Sequence, residues 1–238
     1  MFPLVSICTP TKDRLGFLAL LRRCIEAQRY PLDRVEWIVV DDGLQSAGPV
    51  CEGFANARHI RLDPALRAYP LGLKRNLADQ MAQGEIVINM DDDDYQPPTR
   101  ISHAVKMLEA HPDRLVAGCG ELPIYFADRD EIWHLGPFGP NRATAGTFAF
   151  RHRLLAETAY DNLDALSEEG CFLRGHSIPM VPLDPTQTLL ALSHAHNTFD
   201  KRVLLKDPEA NKVRRLEETL ADVIEDPDLR ASYLDVLK

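Results

Sequence analysis

The sequence predicts an α/β fold: a mainly parallel, doubly wound sheet flanked by helices, with a smaller, less regular region after it. Three observations predict it. Short apolar runs alternate with segments of helical periodicity through roughly the first hundred residues, the pattern of successive β-α-β units. Several of these runs end abruptly on a polar or charged cluster. After Pro97-Pro98 the alternation loosens, and glycine and proline interrupt it.

The elements follow in order. Residues 4–9 form the first apolar run, a buried strand. Residues 15–28 carry Phe17, Leu18, Leu21, Cys24 and Ile25 at helical spacing and stop near Pro31. Residues 35–40 read as a second strand, closed by the turn signal Asp41-Asp42-Gly43. Residues 59–62 read as a short third strand. Residues 73–82 read as a helix stopped by Gly84, and 85–90 as a buried strand ending at Asp91. Next come a helix at 99–110 and a strand at 115–119, then short broken segments. Residues 147–150 read as a strand leading into a helix from Arg151, 164–173 as helical and 187–193 as a strand. From about Asp207 the chain turns charged and helical, with Leu216, Leu220 and Ile224 on one face.

Composition bounds the function. The chain has 238 residues, 45% hydrophobic and 26% charged, as in ordinary globular proteins. Its formal net charge of -9 argues against a broad basic surface for nucleic acid, while leaving room for a local basic pocket for phosphate. The five cysteines are scattered and form no C-x-x-C pair, so neither a disulfide framework nor a zinc site is expected, and a reducing compartment fits best. No signal-peptide pattern opens the sequence, and no apolar stretch is long enough to span a bilayer. The expectation is a soluble, cytoplasmic protein.

In an open α/β sheet, ligands bind beyond the carboxyl ends of the strands. Three polar clusters fall there: Thr9-Pro10-Thr11-Lys12-Asp13-Arg14, Asp41-Asp42, and Asp91-Asp92-Asp93-Asp94. The run of four aspartates is the sharpest signal. Like charges packed together repel, so such a run directly after a buried strand calls for a compensating cation. Magnesium and manganese take carboxylate oxygens and bridge phosphates. If the run is extended, residues two apart share a side, and Asp91 and Asp93 point together at one ligand. Lys74 and Arg75 bring positive charge, as does Arg14. Farther on, His194 and His196 lie two apart after the 187–193 strand, and imidazole suits manganese better than magnesium.

These pieces, in this order, resemble the family 2 glycosyltransferases of the GT-A fold. Val5-Ser-Ile-Cys-Thr-Pro-Thr-Lys-Asp-Arg14 is similar to the family's opening strand and loop. Trp37-Ile-Val-Val-Asp-Asp-Gly43 is similar to the segment that holds the nucleobase and ribose. Leu73-Lys-Arg-Asn-Leu-Ala78 resembles the A-R-N segment, and Gly84-Glu85 the G-E that opens the next strand. Asn89-Met-Asp-Asp-Asp-Asp-Tyr-Gln-Pro-Pro98 resembles the D-x-D motif with its following proline. The likeness is dense over roughly residues 4–110 and thinner afterwards. There, Gly146-Thr-Phe-Ala-Phe-Arg151 resembles the acceptor-side loop, and Ser167-Glu-Glu-Gly-Cys-Phe172 stands where the family has an E-D motif whose second acid is the catalytic base.

The resemblance implies a single GT-A-like, Rossmann-type domain over residues 1–206. About 1–100 would be its nucleotide-sugar-binding half and 101–206 its acceptor half. Residues 207–238 would be a helical appendage that could cap the domain or pair with a second copy. It implies inverting transfer of a sugar from a nucleotide-diphosphate donor, UDP by default, to an acceptor hydroxyl. Thr9, Pro10, Arg14, Asp41, Asp42, Lys74, Arg75, Asp91 and Asp92 are then the donor-binding candidates. Asp93 and Asp91, with His194 or His196, would hold a divalent cation, manganese favoured over magnesium. Glu169 stands where the family has Asp, which leaves the base between Glu168 and Glu169. Two other classes share parts of this pattern. A sugar-1-phosphate nucleotidyltransferase would open with a glycine-rich basic loop, where this chain has Pro10-Thr11-Lys12-Asp13. A silent sugar-nucleotide binding module has no need of the acidic run or of Glu168-Glu169.

Overall fold

The computed structural model describes residues 2–238 apart from Arg67, Ala68 and His196. Its first half follows the predicted alternation: β1 (Val5–Thr11), α1 (Leu15–Glu26), β2 (Val35–Asp41), the single-turn α2 (Gly48–Cys51), β3 (Ala57–Arg61), α3 (Leu71–Met81), β4 (Ile86–Asn89) and α4 (Arg100–Ala110). The second half is built of shorter pieces: β5 (Val116–Gly118), β6 (Leu122–Phe126), β7 (Glu131–Leu135), β8 (Ala149–Arg151), α5 (Glu169–Phe172), β9 (Met180–Pro182) and β10 (Ala191–Ser193). The chain closes with β11 (Val213–Arg215), α6 (Leu220–Val223) and α7 (Pro227–Val236).

Seven strands form the main sheet in the order β3-β2-β1-β4-β8-β5-β9. All are parallel except β8, which runs antiparallel to β4 and β5. The chain winds outward from β1 to β3, then crosses back to place β4 on the other side of β1. The strand order therefore reverses between β1 and β4, which makes their carboxyl ends the switch point where a ligand crevice opens. A second sheet, β10-β6-β7-β11, packs beside the first.

The main sheet is covered on both faces, which is why its strands read as continuous apolar runs. Val5, Ile7, Trp37, Val39, Ile86 and Ile88 pack on one face against Leu18, Leu21 and Ile25 of α1 and Ile101, Val105 and Leu108 of α4. Cys8, Ile38, Val40 and Val87 pack on the other, against Ala78, Phe148, Phe150 and Phe172. Gly84 lets β4 lie close to β1, because a Cβ there would sit 2.6 Å from the Ser6 nitrogen. The buried Glu36 carboxylate ties this corner, accepting from Ser6 Oγ at 2.5 Å and from the Gly84 amide at 3.2 Å. Arg100 is fully buried and donates to the Thr147 and Phe148 carbonyls at 2.8 and 3.1 Å, which holds α4 against the turn before β8. Burial pushes its guanidinium down to about 10.

The second half departs from the sequence reading in four places. The helix expected over 164–173 is only the single turn α5, because Ser167 has a left-handed backbone (φ 60°) that a helix interior excludes. The segment after β8 is a short 3₁₀ turn, His152–Ala156. The strand expected from 187 begins only at Ala191, after a second 3₁₀ turn, Pro185–Gln187, that the Asp184 carboxylate caps. The region after Asp207 contains β11, which exists because it pairs with β7. Leu220, Ile224, Leu229 and Tyr233 of this region are buried with Phe17, Leu20 and Cys24 of α1, so its apolar face covers its own chain. All five cysteines are free thiols, and among the described residues no helix is long and apolar enough to cross a membrane.

One buried group works against stability. Asp79 is buried, and burial pushes the group up to about 7 although the nearby Arg75 and the Cys8 thiol favour its charged form. Between its ordinary pKa and about 7, the folded state holds a proton that the unfolded chain gives up. Stability from this group therefore falls as pH rises through that window. Asp79→Asn should be more stable than the unaltered protein by several kcal/mol at pH 8, since each pKa unit is worth about 1.4 kcal/mol, and close to it at pH 4. Urea unfolding at the two pH values checks this.

Candidate active site

The carboxyl ends of β1, β2 and β4 bring the three polar clusters together, as their strand-end positions predict. Strand β2 ends in Asp41 and leads directly into Asp42. Asp41 is almost wholly buried and is engaged on every side. Its Oδ1 accepts from the Gly43 amide and its Oδ2 from the Ala47 amide, each at 2.8 Å. Arg61 donates to Oδ2 at 2.7 Å, and His59 lies 3.2 Å away. Desolvation opposes ionisation, but these hydrogen bonds outweigh it and hold the carboxyl below the usual range. Asp41 thus folds the turn after β2. The Lys74 ammonium reaches Asp42 Oδ1 at 2.8 Å and carries α3 to the same end of the sheet.

Thr9 and Pro10 lie in the buried part of β1. The Thr9 hydroxyl accepts from Trp37 Nε1 at 3.0 Å, so its side chain is used inside the sheet. Thr11, two residues on, reaches the site instead and donates to Asp92 Oδ2 at 2.6 Å. The glycine–aspartate pairing across the acidic turn is tight: a Cβ on Gly146 would lie 2.7 Å from Asp91 Oδ2.

The four aspartates form a turn after β4 rather than an extended stretch, so alternation does not set their directions. Each takes a different set of partners, with Arg14 shared by Asp92 and Asp93. Asp91 meets Arg75 Nη2 at 3.0 Å. Asp92 takes Thr11 and, at 3.0 Å, Arg14 Nη1. Asp93 Oδ2 accepts from the same Arg14 nitrogen at 2.6 Å and from Asn197 Nδ2 at 3.1 Å, and lies 3.2 Å from His194 Nε2. Asp94 accepts from the Leu192 amide at 3.2 Å, which joins the turn to β10. Burial pushes Asp92 up to about 7, with the Asp93 charge adding to it. Burial acts on Asp93 too, but His194 and Arg14 overcome it and lower its pKa. His194 is stacked on Phe17, ring centroids 4.4 Å apart, which fixes the imidazole beside Asp93. His196 lies outside the described residues.

Arg75 joins this acidic centre to the second half. It is fully buried, donates from Nε to Glu168 Oε1 at 2.7 Å and meets Asp91 with Nη2. The guanidinium also faces the Tyr160 ring, 5.9 Å from its centroid. Its Nη1 is buried without a hydrogen-bond partner among the described residues. Glu168 is therefore a buried, paired acid, whereas its neighbour Glu169 lines a cavity of about 600 Å³. Burial, with the Glu168 charge, raises the Glu169 pKa. Thr11, Asn197, Phe17 and Tyr160 were not singled out from sequence. Thr11 stands inside the Thr9–Arg14 cluster and Phe17 on the apolar face of the first helix, but nothing local in the sequence marks Asn197 or Tyr160 for the site.

A large, mostly parallel sheet flanked by helices matches the GT-A glycosyltransferases among solved structures. The chain is similar to a mannosyltransferase from Pyrobaculum calidifontis, PcManGT, whose structure holds GDP-Man and Mn2+ (TM-score 0.66, 17% identity, 98% of this chain and 70% of that one). It is similar also to S. aureus TarS 1-349 in complex with UDP-GlcNAc (TM-score 0.58, 19% identity, 81% of this chain), of which it spans 59%. The model of glycosyl transferase family 2 matches residues 6–164, and the chain belongs to that family. No curated protein matches it.

The Arg75 contacts make a direct prediction. Arg75→Ala leaves Glu168 and Asp91 facing each other in the interior without a cation, and should lower stability by about 3–5 kcal/mol. Adding Glu168→Gln should recover part of that loss. A double-mutant cycle by urea unfolding measures the coupling.

Proposed function

We propose that the protein transfers a sugar from a nucleotide-diphosphate donor to an acceptor hydroxyl with inversion, and that Glu169 is the base. The observation that carries this reading is the split between the two adjacent acids. Glu168 is consumed by Arg75, while Glu169 faces the cavity with a raised pKa. Glu169 takes the hydroxyl proton, the acceptor oxygen forms its bond to the anomeric carbon, and the carbon–oxygen bond to the diphosphate breaks. The base then stands on the face opposite the leaving group, which gives inversion. Arg75, held between Asp91 and Glu168, sets a fixed positive charge behind the place where charge would build on the diphosphate. Asp42 and Lys74 stand where the nucleoside half of the donor would lie. UDP is the default donor; the two structural relatives hold UDP-GlcNAc and GDP-Man.

Among the described residues, no three ligating side chains converge to hold a metal ion. The pair Asp93 Oδ2 and His194 Nε2, 3.2 Å apart, nevertheless supplies a carboxylate and an imidazole to one point. A divalent ion bound by few protein ligands takes the rest from substrate phosphates and water. The donor set therefore fits such an ion, with Asp93 and His194 as its holders, Asp91 nearby, and manganese favoured over magnesium by the imidazole. When bound it would neutralise charge on the diphosphate.

Two measurements test the reading. Glu169→Gln should lower turnover by roughly 10²–10⁴-fold with donor affinity kept, the loss expected for a general base. Glu168→Gln should act mainly through stability. Because Glu169 must be ionised to act, activity should fall as pH drops through its raised pKa, earlier than for an ordinary glutamate. Full turnover of Glu169→Gln would place the base elsewhere. Calorimetry of UDP and GDP with manganese, magnesium or chelator tests the second point. Affinity should need the divalent ion, and Asp93→Ala should remove that dependence. Equal affinity in chelator would refute metal-assisted donor binding.

A further inference from the structure

The cavity that Glu169 lines has a wall chemistry for which donor binding provides no reason. Besides Glu169, every ionisable side chain lining it is basic: Arg142, His176 and Lys212. This stands out in a chain with 36 acidic against 27 lysine and arginine residues. The three bases come from separate segments: the loop before β8, the loop after α5, and the residue before β11. Their convergence is a product of the tertiary fold.

Three cations at the acidic strand ends are neutralised: Lys74 by Asp42, Arg75 by Asp91 and Glu168, Arg14 by Asp92 and Asp93. Arg142 and Lys212 differ. Both are exposed, and among the described residues neither side chain makes an ion pair or a hydrogen bond. Like charges gathered without counter-charges around one concave site raise the positive potential there. The backbone around them is also held in costly conformations. Lys212 (φ 54°), His176 (φ 63°) and Ser167 (φ 60°) are all left-handed, a state worth roughly 1–3 kcal/mol of strain each, of the kind that collects at functional sites. Asn141, also left-handed, sits next to Arg142 and bridges the Met180 amide (3.0 Å) and the His176 carbonyl (3.4 Å), tying two of the three basic segments together. Phe138 adds an aromatic face of the sort that packs on a sugar ring.

We infer that this cavity receives an anionic acceptor: a polyhydroxylated molecule whose phosphate or carboxylate group is held by Arg142 and Lys212 while its hydroxyl faces Glu169. The inference rests on the glycosyl-transfer reading and names the substrate class of its acceptor site. Phosphate and carboxylate share the recognition chemistry, and the experiment separates them.

Three probes of similar length are titrated into the protein saturated with UDP or GDP: a glycerol phosphate oligomer, an oligogalacturonate and a neutral maltooligosaccharide. At least one anionic probe should bind about tenfold or more tightly than the neutral one, the equivalent of about 1.4 kcal/mol, and its affinity should fall with added salt. The preferred probe identifies the anion. Arg142→Gln and Lys212→Asn should each weaken that probe several-fold and leave the neutral one unmoved. Asparagine tolerates the left-handed backbone at 212, so loss of folding is not confounded with loss of charge. Lys106→Ala, an exposed cation on α4, is the control and should change nothing. Equal binding of charged and neutral probes, no binding of either anion, or insensitivity to both cavity variants overturns the anionic acceptor alone. Failure of the unaltered protein to bind either nucleoside diphosphate overturns the donor reading, and the inference with it.

Discussion

The contact on which the site depends is the buried Arg75 guanidinium between Asp91 and Glu168. It is a direct electrostatic link between the strand-end acidic turn and the start of α5. Without it, two carboxylates would face each other in the interior, and burial of an unpaired charge is among the most costly arrangements in a fold. With it, α5 is held at a set position relative to β4, and Glu169 is delivered to the cavity wall. The pairing also divides labour between two adjacent, chemically identical residues. The one that meets the arginine becomes a strut, and the other is left for solvent and ligand.

The same logic explains how four consecutive aspartates survive in a nearly buried turn. Each has a distinct set of partners, Arg14 being common to two: Arg75, the Thr11–Arg14 pair, the Arg14–His194–Asn197 group, and the Leu192 amide. Arg14 lies between Asp92 and Asp93 and supplies the positive charge that the crowded carboxylates require. The opposite shifts of Asp92 and Asp93 follow from this: Asp93 holds most of the donors, so Asp92 carries more of the mutual repulsion. Stacking of His194 on Phe17 then links the acidic turn to α1, whose far side is covered by α7. The terminal helices are thus part of the support beneath the site.

The acidic strand ends and the cavity wall differ in how their charge is handled. At the acidic strand ends Lys74, Arg14 and Arg75 are each already held by carboxylates, and on the proposed reading an incoming diphosphate would compete for these contacts. Around the cavity Arg142 and Lys212 are uncompensated among the described residues, and Lys212 itself and Asn141 beside Arg142 have left-handed backbone. The first arrangement suits a ligand that arrives with its own cation; the second suits a ligand that brings an uncompensated negative charge.

The sequence by itself determined the β-α-β order, the strand ends at Asp41 and Asp91, and the family, because these rest on local apolar periodicity and on motifs contiguous in the chain. It also located the aspartate run and the Glu168-Glu169 pair. It could not separate Glu168 from Glu169, since their difference is a contact with Arg75, 93 residues away in the chain. Nor could it show that Asp41 organises a turn, that Thr11 rather than Thr9 reaches the site, or that β11 completes a sheet with β7. Those outcomes depend on which side chain packs opposite which, and short strands with weak periodicity exist only through their partners. Phe17, Tyr160, Arg142 and Lys212 belong to the same group: each is ordinary in its local sequence, and its place at the site is decided by elements that only the tertiary structure brings together.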